Sequence, residues 1–156
     1  MAASRKDIRP GDPAPWFRQR SSSNPVFRFD TAAGRVLVLG LFGSAATPHA
    51  QAALAALHAR ADLFDDVCAA FFGVTMDPAD EAGRVQPRLP GYRWFWDMDG
   101  TIGKLLGALA SDFVPGKGNP EIAPRWVVLD SALRVIEVIP FASDQSDIAR
   151  LLRVVE

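Results

Sequence analysis

A chain of 156 residues, 49% hydrophobic and 22% charged, has the size and apolar content of one soluble globular domain. Its 17 basic and 18 acidic residues leave a formal net charge of −1 with no basic stripe, which argues against nucleic acid or an anionic membrane as a partner. The single cysteine, Cys68, excludes an intramolecular disulfide, and two histidines are too few for a multi-histidine metal site.

In chain order, residues 1–10 form a polar, flexible terminus without the apolar core of a secretory signal, and the domain proper spans 11–156. No later run approaches the ~20 apolar residues needed to cross a bilayer, so the expected location is the cytoplasm. Gly11-Asp12-Pro13-Ala14-Pro15-Trp16-Phe17 sets prolines against aromatics and predicts an extended lead-in segment. Residues 18–24, with serines at 21, 22 and 23, predict a loop. Residues 25–30 alternate apolar and polar as a short edge strand or hairpin arm does, and 31–34 is a turn.

Residues 36–42, VLVLGLF, are apolar throughout and bounded by Gly34-Arg35 and Gly43-Ser44, which predicts a central strand covered on both faces. Thr47 then offers a helix cap, Pro48 suits the first helical position, and Ala50, Ala53, Leu54, Leu57 and Ala61 recur at helical spacing. A second apolar run at 68–75 completes a strand–helix–strand unit, whose crossover makes the two strands parallel. Asp77-Pro78 repeats the cap-and-proline signal ahead of a short helix reaching about Val85, and 87–91 breaks the chain.

Residues 92–96, YRWFW, predict a short strand whose alternation turns at least one of Trp94, Phe95 and Trp96 outward. Asp97-Met98-Asp99-Gly100 is a turn into a helix at 101–106, without the downstream ligands of a calcium loop. A loop fills 108–123, where Gly116-Lys117-Gly118 lacks the hydroxyl residue and the preceding glycine of a phosphate-binding loop. Strands at 125–130 and 135–139 form an antiparallel hairpin, and 146–155 closes the chain as an amphipathic helix.

Several of these stretches resemble the peroxiredoxins of the thioredoxin superfamily, the alkyl hydroperoxide reductase and thiol-specific antioxidant type. Gly11-Asp12-x-Ala14-Pro15-x-Phe17 is similar to that family's G-D-x-A-P-x-F opening, and Gly34-Arg35-Val36-Leu37-Val38-Leu39 to its G-K/R-x-V-V-L strand. Gly73-Val74-Thr75-Met76-Asp77 resembles the G-V-S-x-D strand end, Trp96-Asp97-Met98-Asp99-Gly100 the S-D-P-D-G turn, and Val128-Leu129-Asp130 the F-V-I-D strand. The matches keep the family's order from Gly11 to Ile139. They imply a thioredoxin-like α/β fold: a central mixed sheet with a βαβ unit and a C-terminal β-hairpin, and helices on both faces.

The resemblance breaks at the functional centre. The family's P-x-x-x-T/S-x-x-C loop places Gly43 at its proline, Thr47 at its Thr/Ser and Ala50 at its peroxidatic cysteine. A thiolate there is stabilised by the helix dipole, by free N–H groups and by an arginine, so that it can attack a peroxide O–O bond. An alanine methyl has no lone pair to offer, and Gly43 in place of proline points to drift of the whole motif. The family's arginine, six residues before the strand's aspartate, falls on Pro124, while Arg125 one residue later faces the other side of a strand. A bulge that turned Arg125 toward Thr47 would build a small-anion pocket with the N–H groups of 46–50. Thioredoxin relatives carry a cis-proline near this point, which makes Ala123-Pro124 a cis candidate.

Cys68 follows roughly 20 Å of helix and starts the second strand at the opposite end of the sheet. Its neighbours Val67 and Ala69-Ala70-Phe71-Phe72 predict a buried, unreactive thiol. His49, beside Ala50, is a candidate base, anion contact or metal ligand and is expected at the exposed surface, like His58. The two lie nine positions apart, on opposite helix faces, and cannot share a metal. The expectation is therefore a cysteine-depleted peroxiredoxin-like domain needing no cofactor or metal. It serves as a binding or regulatory module, as a homodimer or beside an enzyme domain such as an iron/2-oxoglutarate dioxygenase. Thiol-dependent peroxidase chemistry through Cys68 and small-anion binding at the vacant pocket stay open.

Overall fold

In the computed structural model, which describes residues 5–84, 91–117 and 120–156, the lead-in segment runs into a two-stranded antiparallel hairpin of β1 (Arg18–Gln19) and β2 (Phe27–Arg28). Arg18 and Gln19 thus leave the predicted loop, because Phe17 and Gln19 turn inward and recruit the second arm. A short 3₁₀ turn, Phe29–Ala32, takes the place of the arm's predicted end. Residues 5–9 are not frayed: Ile8 is buried, and Arg5 donates to the carbonyls of Ala108 and Glu121. Residues 1–4 lie outside the described residues.

The remaining elements follow the expected order closely. They are β3 (Val36–Gly43), α1 (Pro48–Ala59), β4 (Ala69–Thr75), β5 (Tyr92–Trp96), α2 (Thr101–Leu105), β6 (Arg125–Leu129), β7 (Val135–Pro140) and α3 (Ser146–Val155). The sheet order is β5-β4-β3-β6-β7, with β3, β4 and β5 mutually parallel and β6 and β7 antiparallel to their neighbours. Parallel strands with apolar flanks must be covered on both sides, and two apolar layers do this. Leu37, Leu39, Leu41, Phe72 and Phe95 face the hairpin and α2, whereas Val38, Phe71, Trp94 and Trp126 face α1 and α3. On the hairpin side Phe17 stacks on Phe29 at 4.5 Å and Phe72 on Phe95 at 5.0 Å.

The structure corrects the outward aromatic of β5, since Trp94, Phe95 and Trp96 are all buried. The chain at 20–22 covers that edge: Ser21 bridges Phe95, the Ser22 N–H donates to the Trp94 carbonyl, and the Trp96 N–H donates to the Arg20 carbonyl. Trp94 also lies so close to Gly73 that a β-carbon there would sit 2.5 Å from its ring, which fixes glycine at that position. After Asp77-Pro78 the expected helix is a single wide turn, Asp80–Arg84, broken at Gly83 with φ +133°. Val85 lies outside the described residues, as do residues 86–90 and 118–119.

Candidate functional site

The C-terminal ends of β3 and β4 meet the start of α1, where Thr47 caps the helix by accepting the Ala50 N–H at 3.1 Å. Pro48 occupies the first helical position, as its missing N–H allows. Beside this corner lies a depression of about 400 Å³ lined by Phe42, Gly43, Ser44, Thr47, Met76, Asp77, Pro120, Ile122 and Pro124. Gly43 adopts φ +76°, and a β-carbon there would come within 3.0 Å of Ile122, so glycine is what lets the 120–124 segment close against the strand end. Thr47, Gly43 and Pro124 are thus brought together. Among the described residues no peptide bond is cis, which corrects the expectation for Ala123-Pro124.

Ala50 does not line the depression. It is 0% exposed and belongs to the apolar layer of Phe42, Ala53, Leu57 and Trp126. The position is therefore sealed rather than open, and a side chain there faces carbon, not solvent.

The polar groups at the rim are acidic partners and hydroxyls. Ser44 Oγ donates to Asp77 at 2.7 Å, and Asp77 in turn accepts the Ala79 N–H at 3.0 Å. The fully buried Asp80 accepts from Thr75 Oγ1 at 2.5 Å and from the Ala45 N–H at 2.8 Å. The Ala46 N–H donates to Ser44 Oγ. The charged residue among the described ones lining the depression is Asp77. Sequence reasoning saw Asp77 only as a cap and passed over Ser44 and Asp80; polar residues directly after the two central strands were the available signal.

Arg125 stays away from this corner. It shares a face with Val127 and Leu129, on the α2 side, and its guanidinium lies near Gly107 and donates to the Ala123 carbonyl. Burial, then the charge of Arg5, push it below its ordinary pKa. The register irregularity of β6 against β7 falls at Val128/Leu129, past the point where it could redirect Arg125. The small-anion pocket of Thr47, Arg125 and the 46–50 N–H groups is therefore not assembled.

His49 corrects the expectation of an exposed surface residue. Its side chain is 19% exposed and stacks on Phe141 with centroids 4.1 Å apart, while Nε2 donates to the carboxylate of Asp147 at 3.0 Å. Asp147, at the start of α3, also accepts from Trp126 Nε1 at 2.8 Å and from the Ala142 N–H at 3.0 Å. Burial raises this carboxyl, but the bonds from His49, Ala142 and Trp126 outweigh it and hold its pKa below the ordinary value. His49 Nδ1 is buried without a hydrogen-bond partner among the described residues. The histidine thus clamps α1 to α3 instead of facing a substrate. His58 is exposed, as expected, with its ring edge against Tyr92.

Cys68 is exposed, not buried. The turn before β4 lifts it out: Asp65 accepts the N–H groups of Val67 and Cys68, and Asp66 adopts φ +68° and binds both Arg35 and Arg93. Its location is as expected, because Cys68 pairs with the Val36 end of β3 while the depression lies at the Gly43–Thr75 end. At ~3.3 Å per residue those ends are roughly 20 Å apart.

Comparison with known proteins agrees with this architecture. No protein-family model matches the sequence, and no curated protein matches it. Solved structures do. A yeast mitochondrial 1-Cys peroxiredoxin matches 96% of this chain over 75% of its own, with a TM-score of 0.75 at 15% identity. Peroxidoxin BcpB from Mycobacterium tuberculosis matches over 96% and 95% with a TM-score of 0.73 at 22% identity. A mutant of PrxQ from Xylella fastidiosa matches over 96% of both chains with a TM-score of 0.72 at 13% identity. The chain therefore has a thioredoxin-like α/β fold similar to that of these peroxiredoxins. The domain carries one cysteine, Cys68, at the Val36 end of the sheet and away from position 50.

Proposed function

We propose that this domain is a binding or regulatory module that does not reduce peroxides at the position the fold reserves for that chemistry. The supporting observation is Ala50, fully buried at the place of the family's nucleophile. The surroundings agree with it: Arg125 shares the opposite layer with Val127 and Leu129, so its guanidinium does not support a thiolate at position 50. A supporting place beside a catalytic domain fits this reading, the iron/2-oxoglutarate dioxygenase arrangement being the one the resemblance implies. The test is hydrogen peroxide consumption by the full chain with thioredoxin or dithiothreitol, with Cys68→Ser in parallel. The expected result is no turnover by either protein.

One observation favours a second reading. Cys68 is exposed, so a thiol-dependent activity has access to solvent. Against it, the Asp65 carboxylate accepts the Cys68 N–H at 2.7 Å, and the two arginines of this turn, Arg35 and Arg93, are bound to Asp66. Turnover that Cys68→Ser abolishes establishes this second reading and removes the first.

A further inference from the structure

On the opposite layer from α1, the outer face of the β1–β2 hairpin sets two like charges directly across from each other. Arg18 and Arg28 are register partners, so their side chains leave the same face about 5 Å apart, an arrangement that weakens a hairpin. Both are exposed, and the Arg18 side chain forms no hydrogen bond or ion pair among the described residues. Arg28 reaches Asp30 only at 3.7 Å. Trp16, two positions before Arg18 on an extended segment, points the same way and is 74% exposed, whereas Phe17 and Gln19 between them point inward. The flanking Arg20 is already committed to Glu81 at 2.5 Å.

Tryptophan and arginine are the side chains that most often anchor interfaces, and a guanidinium pair is built to take carboxylates. We infer that the Trp16–Arg18–Arg28 face of the hairpin docks an acidic peptide segment of a partner protein. Its carboxylates bind the two guanidiniums and its apolar side chains cover Trp16. The occupant follows from charge complementarity. A pair of facing cations that share only the 3.7 Å contact of Arg28 with Asp30, on a hairpin whose local fold they disfavour, is relieved by further carboxylates, while a net charge of −1 gives no excess of positive charge for a nucleic-acid backbone. This surface is separate from the depression beside Thr47 and does not depend on the reading given for it.

Of the four tryptophans, Trp94, Trp96 and Trp126 are buried, so acrylamide quenching of the native full chain reports on Trp16. The probe is a synthetic peptide alternating glutamate with valine, compared with the same peptide carrying glutamine and with an oligothymidylate. The acidic peptide is expected to protect Trp16, less so as salt is raised. Arg18→Gln is expected to weaken that binding about tenfold or more while leaving thermal stability unchanged or slightly higher, because it removes the like-charge pair. A merely structural Arg18 gives the reverse pattern. Absence of protection, equal protection by the glutamine peptide, stronger protection by the oligothymidylate, or unchanged binding to Arg18→Gln each overturns the inference.

Discussion

Asp97 offers the sharpest test of how the hairpin and α2 are held to the sheet, because it is a carboxylate with 0% exposure and no cationic partner among the described residues. It accepts from Gln19 Nε2 at 2.8 Å, from the Ile102 N–H at 2.9 Å and from the Gly103 N–H at 2.9 Å. Gln19 is shared with Asp99 at 2.7 Å, so one side chain from β1 ties down the turn that starts α2. Burial outweighs these bonds and pushes the Asp97 carboxyl up from 3.8 to about 6. A shift of roughly two units corresponds to about 3 kcal/mol between protonated and ionised forms. The folded pKa lies above the unfolded one, so the folded state gains protons that the unfolded state has already lost. The contribution is fully present below about pH 4 and is gone above about pH 6.

Asp97→Asn keeps the shape and removes the charge, but its amide faces the Gly103 N–H and orphans that donor, a constant cost of about 1–3 kcal/mol. The pH dependence separates the two effects. Urea unfolding of native chain and variant between pH 4 and pH 7.5 should show the native chain losing about 3 kcal/mol relative to the variant as pH rises. Parallel profiles refute the reasoning, since they place the Asp97 pKa at its unfolded value.

Three other perturbations follow from the same contacts. His49→Ala removes a stacked ring and one of the donors to Asp147 and should cost about 1–3 kcal/mol in denaturant unfolding, without changing any peroxide reactivity. Asp66→Asn tolerates the left-handed backbone but weakens the bonds from Arg93 and Arg35 that hold the Asp66 pKa below its ordinary value; a loss of about 1–2 kcal/mol is expected at neutral pH, persisting down to about pH 4 and shrinking only as pH falls below it. Native Cys68 should react with Ellman's reagent at the rate of an exposed thiol, and Cys68→Ser should change stability by less than about 0.5 kcal/mol; a thiol that reacts only in denaturant contradicts its exposure.

What could be read in the sequence was whatever depends on short-range pattern. The apolar run at 36–42 could only be a covered strand, and Thr47-Pro48 fixed the start of α1 because a cap and an N-terminal proline act within one turn. What could not be read depended on residues far along the chain. His49 is buried by Phe141 and held by Asp147, 98 positions away, and no local signal distinguishes that from a solvent-facing histidine. Cys68 looked buried because its neighbours are apolar, yet two aspartates turn the chain just before β4 and leave it outside. The aromatics of β5 alternate as a half-exposed strand does, but Phe17 and Phe27 of the hairpin region pack on Phe95 and close the second side. At the site, the alanine at position 50 was legible from the sequence; that the position is sealed was not, since sealing is a property of the packing around Ala50.

Under the proposed function, the corner around Ala50 is apolar core rather than a reactive site lacking one atom. The most direct test of this is the rate of hydrogen peroxide consumption, with dithiothreitol as reductant, by Ala50→Cys beside the native chain. Both are expected to stay at the background rate, because a thiol at position 50 is buried among Phe42, Leu57 and Trp126, with Arg125 on the other face of the sheet. Rapid cysteine-dependent turnover by Ala50→Cys, or any turnover by the native chain above background, contradicts the account.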